Sequence, residues 1–213
     1  MQFEVFLKKN IQDLSGDLLL ENGRLKLLPA AYYRNLKWED FRIFCHCHAR
    51  YGIPTIELID YLKDIIGNRS ALEIGAGAGD LGYHLKIPMI DNKMQSWPEI
   101  SKIYEGMGQP TIKYPDDIEE IDALEAVKKY KPQVVIGSWI TSFSSVEQKW
   151  RSSPFGIKEP QILDLVETFI IVGNLDEHFD KPIRQIEHQT IHADWLVSRK
   201  KNQKNNCIFI WSK

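Results

Sequence analysis

The sequence predicts an α/β protein: a mostly parallel sheet with helices on both faces and a small amino-terminal appendage. Three observations carry that expectation. Residues 70 to 91 read as strand, glycine-rich turn, short helix and second strand. Further on, apolar runs such as Gln133 to Ile140 alternate with helix-patterned stretches, the order of a parallel sheet with crossover helices. The chain then closes on two strand-like runs, 189 to 197 and 207 to 211, joined by the basic turn Lys200 to Asn206.

The 213 residues suit one domain with an adequate core, read as an appendage over 1–50 and a main body over 51–213. A net charge of −2 supplies no overall positive field to hold nucleic acid, so such binding needs a local patch. No run is long and apolar enough to span a bilayer, which predicts no membrane partner. The opening MQFEVFLKKN has its charges after its apolar run, unlike a secretory signal. Three cysteines, an odd number, argue against a disulfide framework and for a reducing cytoplasm.

Taken in order, Phe3, Leu7, Ile11 and Leu14 recur at helical spacing and Gly16 stops that helix. Asn22-Gly23 interrupts Leu18 to Leu28 as a hairpin turn does. A helical or irregular piece from Pro29 carries Tyr32, Tyr33, Arg34 and Trp38, a mixed aromatic-basic group open to two readings: appendage packing or stacking on a planar acceptor. Helix resumes from Glu39 to Arg50. Its Cys45-His46-Cys47-His48 cannot close one tetrahedron, because neighbouring helical residues point apart. No metal site is expected. Thr55 caps a helix over Ile56 to Ile66, which delivers the chain into the central strand.

That strand is Ala71-Leu72-Glu73-Ile74, followed by Gly75, Gly77 and Gly79. Glycine turns the chain tightly and lets a ligand approach the backbone. Asp80 to Lys86 reads as a short helix, and Ile87 to Ile90 as a second strand ending at Asp91, where an acid can accept both hydroxyls of a ribose. A competing register, Gly77-x-Gly79-x-x-Gly82, fits a dinucleotide fingerprint, but its ribose acid belongs ~20 residues on. Asp91 comes too early for it. A turn without ligand is the other alternative, although three glycines destabilise a turn that needs one.

Beyond Asp91, helix is expected over Pro98 to Met107, a third strand over Thr111 to Tyr114, and helix over Ile118 to Tyr130 capped by Asp117. The fourth strand, Gln133 to Ile140, ends in Gly137-Ser138-Trp139-Ile140-Thr141. Phe143 to Glu159 has no periodicity and leaves from a strand's carboxyl end, so it can lie over a ligand cleft. A helix from Pro160 to Val166 and a fifth strand, Phe169 to Val172, lead to His178.

The acid two residues ahead of the first glycine, with a second acid closing the next strand, resembles the first two motifs of class I S-adenosylmethionine-dependent methyltransferases. The stretches YGIPTIELIDYLKDIIG, ALEIGAGAGDLGYHLKIP, KYKPQVVIGSWIT and FIIVGN are similar to a bacterial and phage-borne group predicted to bind S-adenosylmethionine (SAM). The resemblance implies a Rossmann-like seven-stranded methyltransferase sheet whose last strand is antiparallel. It implies SAM as cofactor, with Gly75, Gly77 and Gly79 against its methionine and ribose, Asp91 on the ribose, and Glu73 at the methionine amino end. Asp117 and the Ile118 N–H would serve the adenine, and Ser138 would face the cofactor. The end of the fourth strand is where such enzymes hold their reactive groups. The Asn/Asp-Pro-Pro-aromatic motif of base and amide methyltransferases is missing there, which argues against base N-methylation. Trp139 is either core or a substrate platform. His178 is either a general base or a surface histidine. The implied function is methyl transfer to an acceptor that the resemblance does not identify. The alternatives are a SAM-binding sensor without turnover and a NAD-dependent oxidoreductase.

Overall fold

A computed structural model describes residues 11–144 and 152–213. Seven strands form one sheet: β1 (Ala71–Ile74), β2 (Met89–Asp91), β3 (Glu119–Glu120), β4 (Val134–Ser138), β5 (Thr168–Asn174), β6 (Gln189–Ile191) and β7 (Asn206–Ser212). Their spatial order is β3-β2-β1-β4-β5-β7-β6. The first five are parallel, while β7 runs antiparallel between β5 and β6. This is the strand order of the class I methyltransferase sheet. A dinucleotide-binding sheet of order 3-2-1-4-5-6 lacks the inserted antiparallel strand.

Nine helices among the described residues surround the sheet: α1 (Ser15–Leu18), α2 (Ala30–Arg34), α3 (Trp38–Cys47), α4 (Ile56–Ile66), α5 (Asp80–Leu85), α6 (Pro98–Gly106), α7 (Ala123–Tyr130), α8 (Glu159–Leu163) and α9 (Leu175–His178). Alternation along the strands divides the core between two faces. Val135, Phe169, Ile171 and Phe209 pack with α7 and α8 on one face. Val134, Ile136, Ile170 and Ile208 pack with α4 and α5 on the other. The Leu58 N–H bonds Thr55 Oγ1 at 3.1 Å, so Thr55 caps α4 as its position predicts.

Residues 11 to 50 build a third apolar cluster with Leu18, Leu25, Tyr33, Phe41 and Phe44 buried in it. The Asn22-Gly23 turn is closed by the Gly23 N–H on the Leu20 carbonyl, with Leu19 bridging Leu25. Most of the expected helix over Phe3 to Leu14 lies outside the described residues, as do Trp150 and Arg151 of the long loop.

Three sequence expectations are corrected. The third strand is Glu119–Glu120 rather than Thr111 to Tyr114. The latter segment alternates like a strand, but it lies between Pro110 and Pro115 and spends the Ile112 N–H on Gln95 Oε1 at 3.0 Å. The following helix starts at Ala123, capped by Asp122, whose Oδ1 accepts the Leu124 and Glu125 N–H groups. Asp117 precedes β3 and pairs with Arg24 instead. An apolar residue at every third position looked like helix from Ile118 onward, yet Ile118 is buried by the turn that leads into β3. Finally, only Gln189–Ile191 of the expected 189–197 strand joins the sheet. Val197–Ser198 pairs antiparallel with Gly52–Ile53 instead. Parts of the aperiodic loop are also ordered by pairing, with Ser142–Phe143 parallel to Ser152–Ser153.

Candidate functional site

A cleft of about 320 Å³ opens at the carboxyl ends of β1, β2 and β4. The chain steps from β1 outward to β2 and β3 on one side and then crosses back to β4 on the other, so a crevice at this switch point follows from the topology. Gly75, Gly77, Asp91, Ser138, Trp139 and His178 all border it.

Gly75, Gly77 and Gly79 take φ of 58, 59 and 70°, left-handed conformations that glycine adopts at the least cost. A Cβ on Gly77 would come within 3.2 Å of the Ile112 side chain. The missing side chains therefore serve backbone conformation and close packing. Gly82, third in the competing register, lies in α5 where a Cβ would strike Met89 and Glu73.

Asp91 is 7% exposed at the end of β2. Its Oδ2 accepts the Gly77 N–H at 2.9 Å and its Oδ1 the Lys93 N–H at 2.8 Å. Burial pushes its pKa up, and these N–H groups with the Tyr114 hydroxyl pull it back. Glu73 sits beneath the loop, 1% exposed, and its Oε2 accepts the Gly82 N–H at 2.7 Å. Burial, with added repulsion from Asp80 and Asp91, raises its pKa to about 8, so it is largely neutral at pH 7. A neutral acid tied to the loop's own helix is poorly suited to hold an ammonium.

Asp80 is buried. Its Oδ1 accepts the Leu25 N–H at 2.7 Å and its Oδ2 lies 3.0 Å from Arg50 Nε. That approach is an ion pair whose N–H is not aimed at the oxygen, since Nε has no hydrogen-bond partner. The His84 ring bonds the Leu25 carbonyl at 2.8 Å, so both backbone groups of Leu25 are strapped to α5. Asp117 and Ile118 do not border the cleft; Asp122 and Ala123 do, just after β3. Gln95, Ile112 and Tyr114 line the same end.

At the end of β4, Trp139 adopts φ 56° and its N–H bonds the Val172 carbonyl at 2.9 Å. The left-handed turn swings the half-buried indole against Gly52, where a Cβ would meet Trp139 Cδ1 and Nε1 at 2.8 Å. The ring also meets His178 edge-on at 5.4 Å. His178 is 4% exposed, which removes the surface reading. Its Nδ1 lies 3.0 Å from both the backbone N–H and the carbonyl of Asn174, and the tautomer that donates Nδ1–H to that carbonyl makes Nε2 the basic nitrogen. Beneath this turn, buried Lys181 Nζ donates to the Ile140 carbonyl at 2.9 Å, to Ser142 Oγ at 2.7 Å and to Glu159. One lysine thus anchors the chain as it leaves β4.

Two cleft residues have no sequence signal. Tyr51 and Arg199 are brought together by the short Gly52–Ile53 pairing, with the Arg199 guanidinium 3.8 Å from the Tyr51 ring centre. The expected aromatic-basic group lies elsewhere. Tyr33 and Trp38 pack on Phe41, Arg34 pairs with Asp194, and neither these nor Tyr32 border the cleft. Cys45 is buried, its thiol pushed up to about 12 by burial, while His48 stacks on Phe44 at 4.7 Å. No group of three metal-ligating side chains occurs among the described residues, and no described helix is long and apolar enough to cross a membrane.

No protein-family profile and no curated protein matches the chain. Solved structures do. An rRNA methylase from Streptococcus thermophilus shares 13% identity over 73% of this chain and 93% of that one, with a TM-score of 0.39. A Thermoplasma acidophilum protein shares 17% over 72% and 83%, at 0.36. A protein solved with S-adenosylhomocysteine (SAH) shares 11% over 70% and 47%, at 0.37, so this chain spans about half of it. The fold assignment rests on strand order and register: the chain has the class I methyltransferase fold.

Proposed function

We propose that this chain is a SAM-dependent methyltransferase whose cofactor lies along the glycine loop with its ribose on Asp91. The observation that carries the reading is the Asp91 carboxylate, buried at the end of β2 and pinned to Gly77 at 2.9 Å. A carboxylate has about four accepting positions, and two N–H groups occupy two of them here. The rest become available to a pair of hydroxyls once the Tyr114 hydroxyl gives way. Asp122 at the start of α7 takes over the adenine role expected of Asp117, because it follows β3 and borders the cleft.

When bound, SAM supplies an electrophilic methyl group. The chain's task is to hold the accepting atom in line with it, which can contribute roughly 7–11 kcal/mol of the barrier. Ser138 and the rigid turn at Trp139 fix that end of the cleft. His178 serves a protonated acceptor as general base through Nε2. Isothermal calorimetry should give one SAH site per chain, and labelled methyl from SAM should enter a cell extract lacking this protein. An Asp91→Ala variant should abolish the incorporation. No heat with SAH at millimolar concentration would sink the cofactor assignment.

A sensor without turnover is the second reading. Its support is that Ile112 packs on Gly77 and Tyr114 faces Asp91, so the 109–115 segment must yield to a ribose. Binding without incorporation into any extract fraction favours it.

A further inference from the structure

Arg24, Arg34, Arg50 and Arg69 each pair with a carboxylate. Arg199 does not. Among the described residues its guanidinium has no acidic partner and makes no side-chain hydrogen bond, although it is half-buried and borders the cleft. Glu177, the acid on the same stretch of wall, is already paired with Lys200. A guanidinium taken partly out of water and left unpaired is costly unless it has a role when a ligand arrives.

Its orientation is fixed in two ways. The Gly52↔Ser198 pairing is continued by the Arg199 N–H on the Tyr51 carbonyl at 2.9 Å, which sets the two residues in register. The guanidinium then lies over the Tyr51 ring, a stacking that holds its plane and leaves the forked donors at its edge open. Tyr104 of α6, also on the cleft wall, lies within electrostatic reach of both Tyr51 and Arg199. Burial raises the Tyr104 pKa, so its hydroxyl remains a donor at neutral pH. One cation and nearby phenols are a receptor for an oxyanion.

We propose that the methyl acceptor carries an oxyanion, a carboxylate or a phosphate, which Arg199 grips through its paired N–H donors beside Tyr51 and Tyr104. The proposal rests on the methyltransferase reading for the word acceptor, while the anion site stands on its own geometry.

Benzoate and inorganic phosphate, titrated separately into the full chain saturated with SAH, test it by calorimetry and tryptophan fluorescence. At least one probe should saturate. Arg199→Gln should weaken that probe about ten- to a hundredfold and leave SAH affinity and the melting temperature nearly unchanged. Arg199→Lys, which keeps the charge without the fork, should restore only part of the binding. Saturation by benzoate alone assigns a carboxylate acceptor, and by phosphate alone a phosphorylated one. Saturation by neither overturns the proposal. So does competition between probe and SAH together with weakened SAH in Arg199→Gln, because Arg199 then holds the cofactor's own carboxylate. If the wild type binds no SAH, the methyltransferase reading fails, and the same titrations on the free chain decide the anion site alone.

Discussion

The Asp91 carboxylate holds the glycine loop shut by accepting the Gly77 N–H at 2.9 Å. The residue expected to read the ribose is therefore also a structural tie between β2 and the turn after β1. Its second oxygen ties the Lys93 N–H at 2.8 Å, so both oxygens are in use before any ligand arrives.

Asp91→Asn should accordingly do two things. It should weaken SAH about ten- to a hundredfold, since charge-assisted hydrogen bonds are worth roughly 1.5–3 kcal/mol each. It should also cost about 1 kcal/mol of folding stability, because an amide cannot accept both N–H bonds. Calorimetry and urea unfolding read the two effects separately. Weakened binding with undiminished stability would mean that the loop does not depend on this tie.

Asp80→Asn tests the strap on α5. From sequence alone Asp80 opens a short helix, where such a change costs only a little helix-terminus stabilisation. In the fold it is buried against Arg50, whose side chain is 8% exposed. The variant leaves that guanidinium without its charge partner and should cost about 3 kcal/mol. A urea midpoint equal to wild type would remove the strap from the account.

Glu73 sets a pH dependence. Its folded pKa of about 8 stands above the ordinary 4.5, with burial as the main cause. Below pH 4.5 both folded and unfolded chains hold the proton, and this contribution to stability is fully present. As pH rises the unfolded chain releases the proton first, so stability falls until about pH 8 and then levels. Glu73→Gln keeps an acceptor for the Gly82 N–H and removes the titration. Its stability should be flatter across that window, and at pH 8 it should exceed wild type by at least about 1 kcal/mol. Parallel wild-type and variant profiles would refute a titrating Glu73.

Much of the sheet was legible because its signals are local. Ala71–Ile74, the glycine turn and the apolar run of β4 each follow from periodicity and turn chemistry within a few residues. The closing pair was legible as strands, and its antiparallel seventh member came from the family resemblance. What sequence missed depends on long-range contact. β3 is two residues long and carries only Glu119 and Glu120, so no apolar pattern marks it. The Tyr51–Arg199 stack joins positions 148 apart in the chain through a two-residue strand pair. Glu73 reads as a strand residue and Asp80 as the start of a short helix, and the degree of their burial is what the sequence does not show. The aromatic-basic group at Tyr32 to Trp38 had the right composition for a cleft, and packing on Phe41 took it elsewhere.

Tyr114→Phe gives the sharpest test of how the cleft opens. The Tyr114 hydroxyl faces the Asp91 carboxylate, and the neighbouring Ile112 packs on Gly77. The ribose hydroxyls and Tyr114 therefore contend for the same acceptor, and bound ligand must displace the phenol. Losing the hydroxyl removes that competitor together with a polar contact to the carboxylate in the free protein, worth at most about 1 kcal/mol. SAH should bind more tightly to the variant, by up to about tenfold. Stability of the free chain should fall by a similar amount, so calorimetry and unfolding should move in opposite directions. Weaker SAH binding in Tyr114→Phe would instead make Tyr114 a direct ligand of the cofactor, and the 109–115 segment a wall of the site rather than an obstacle to it.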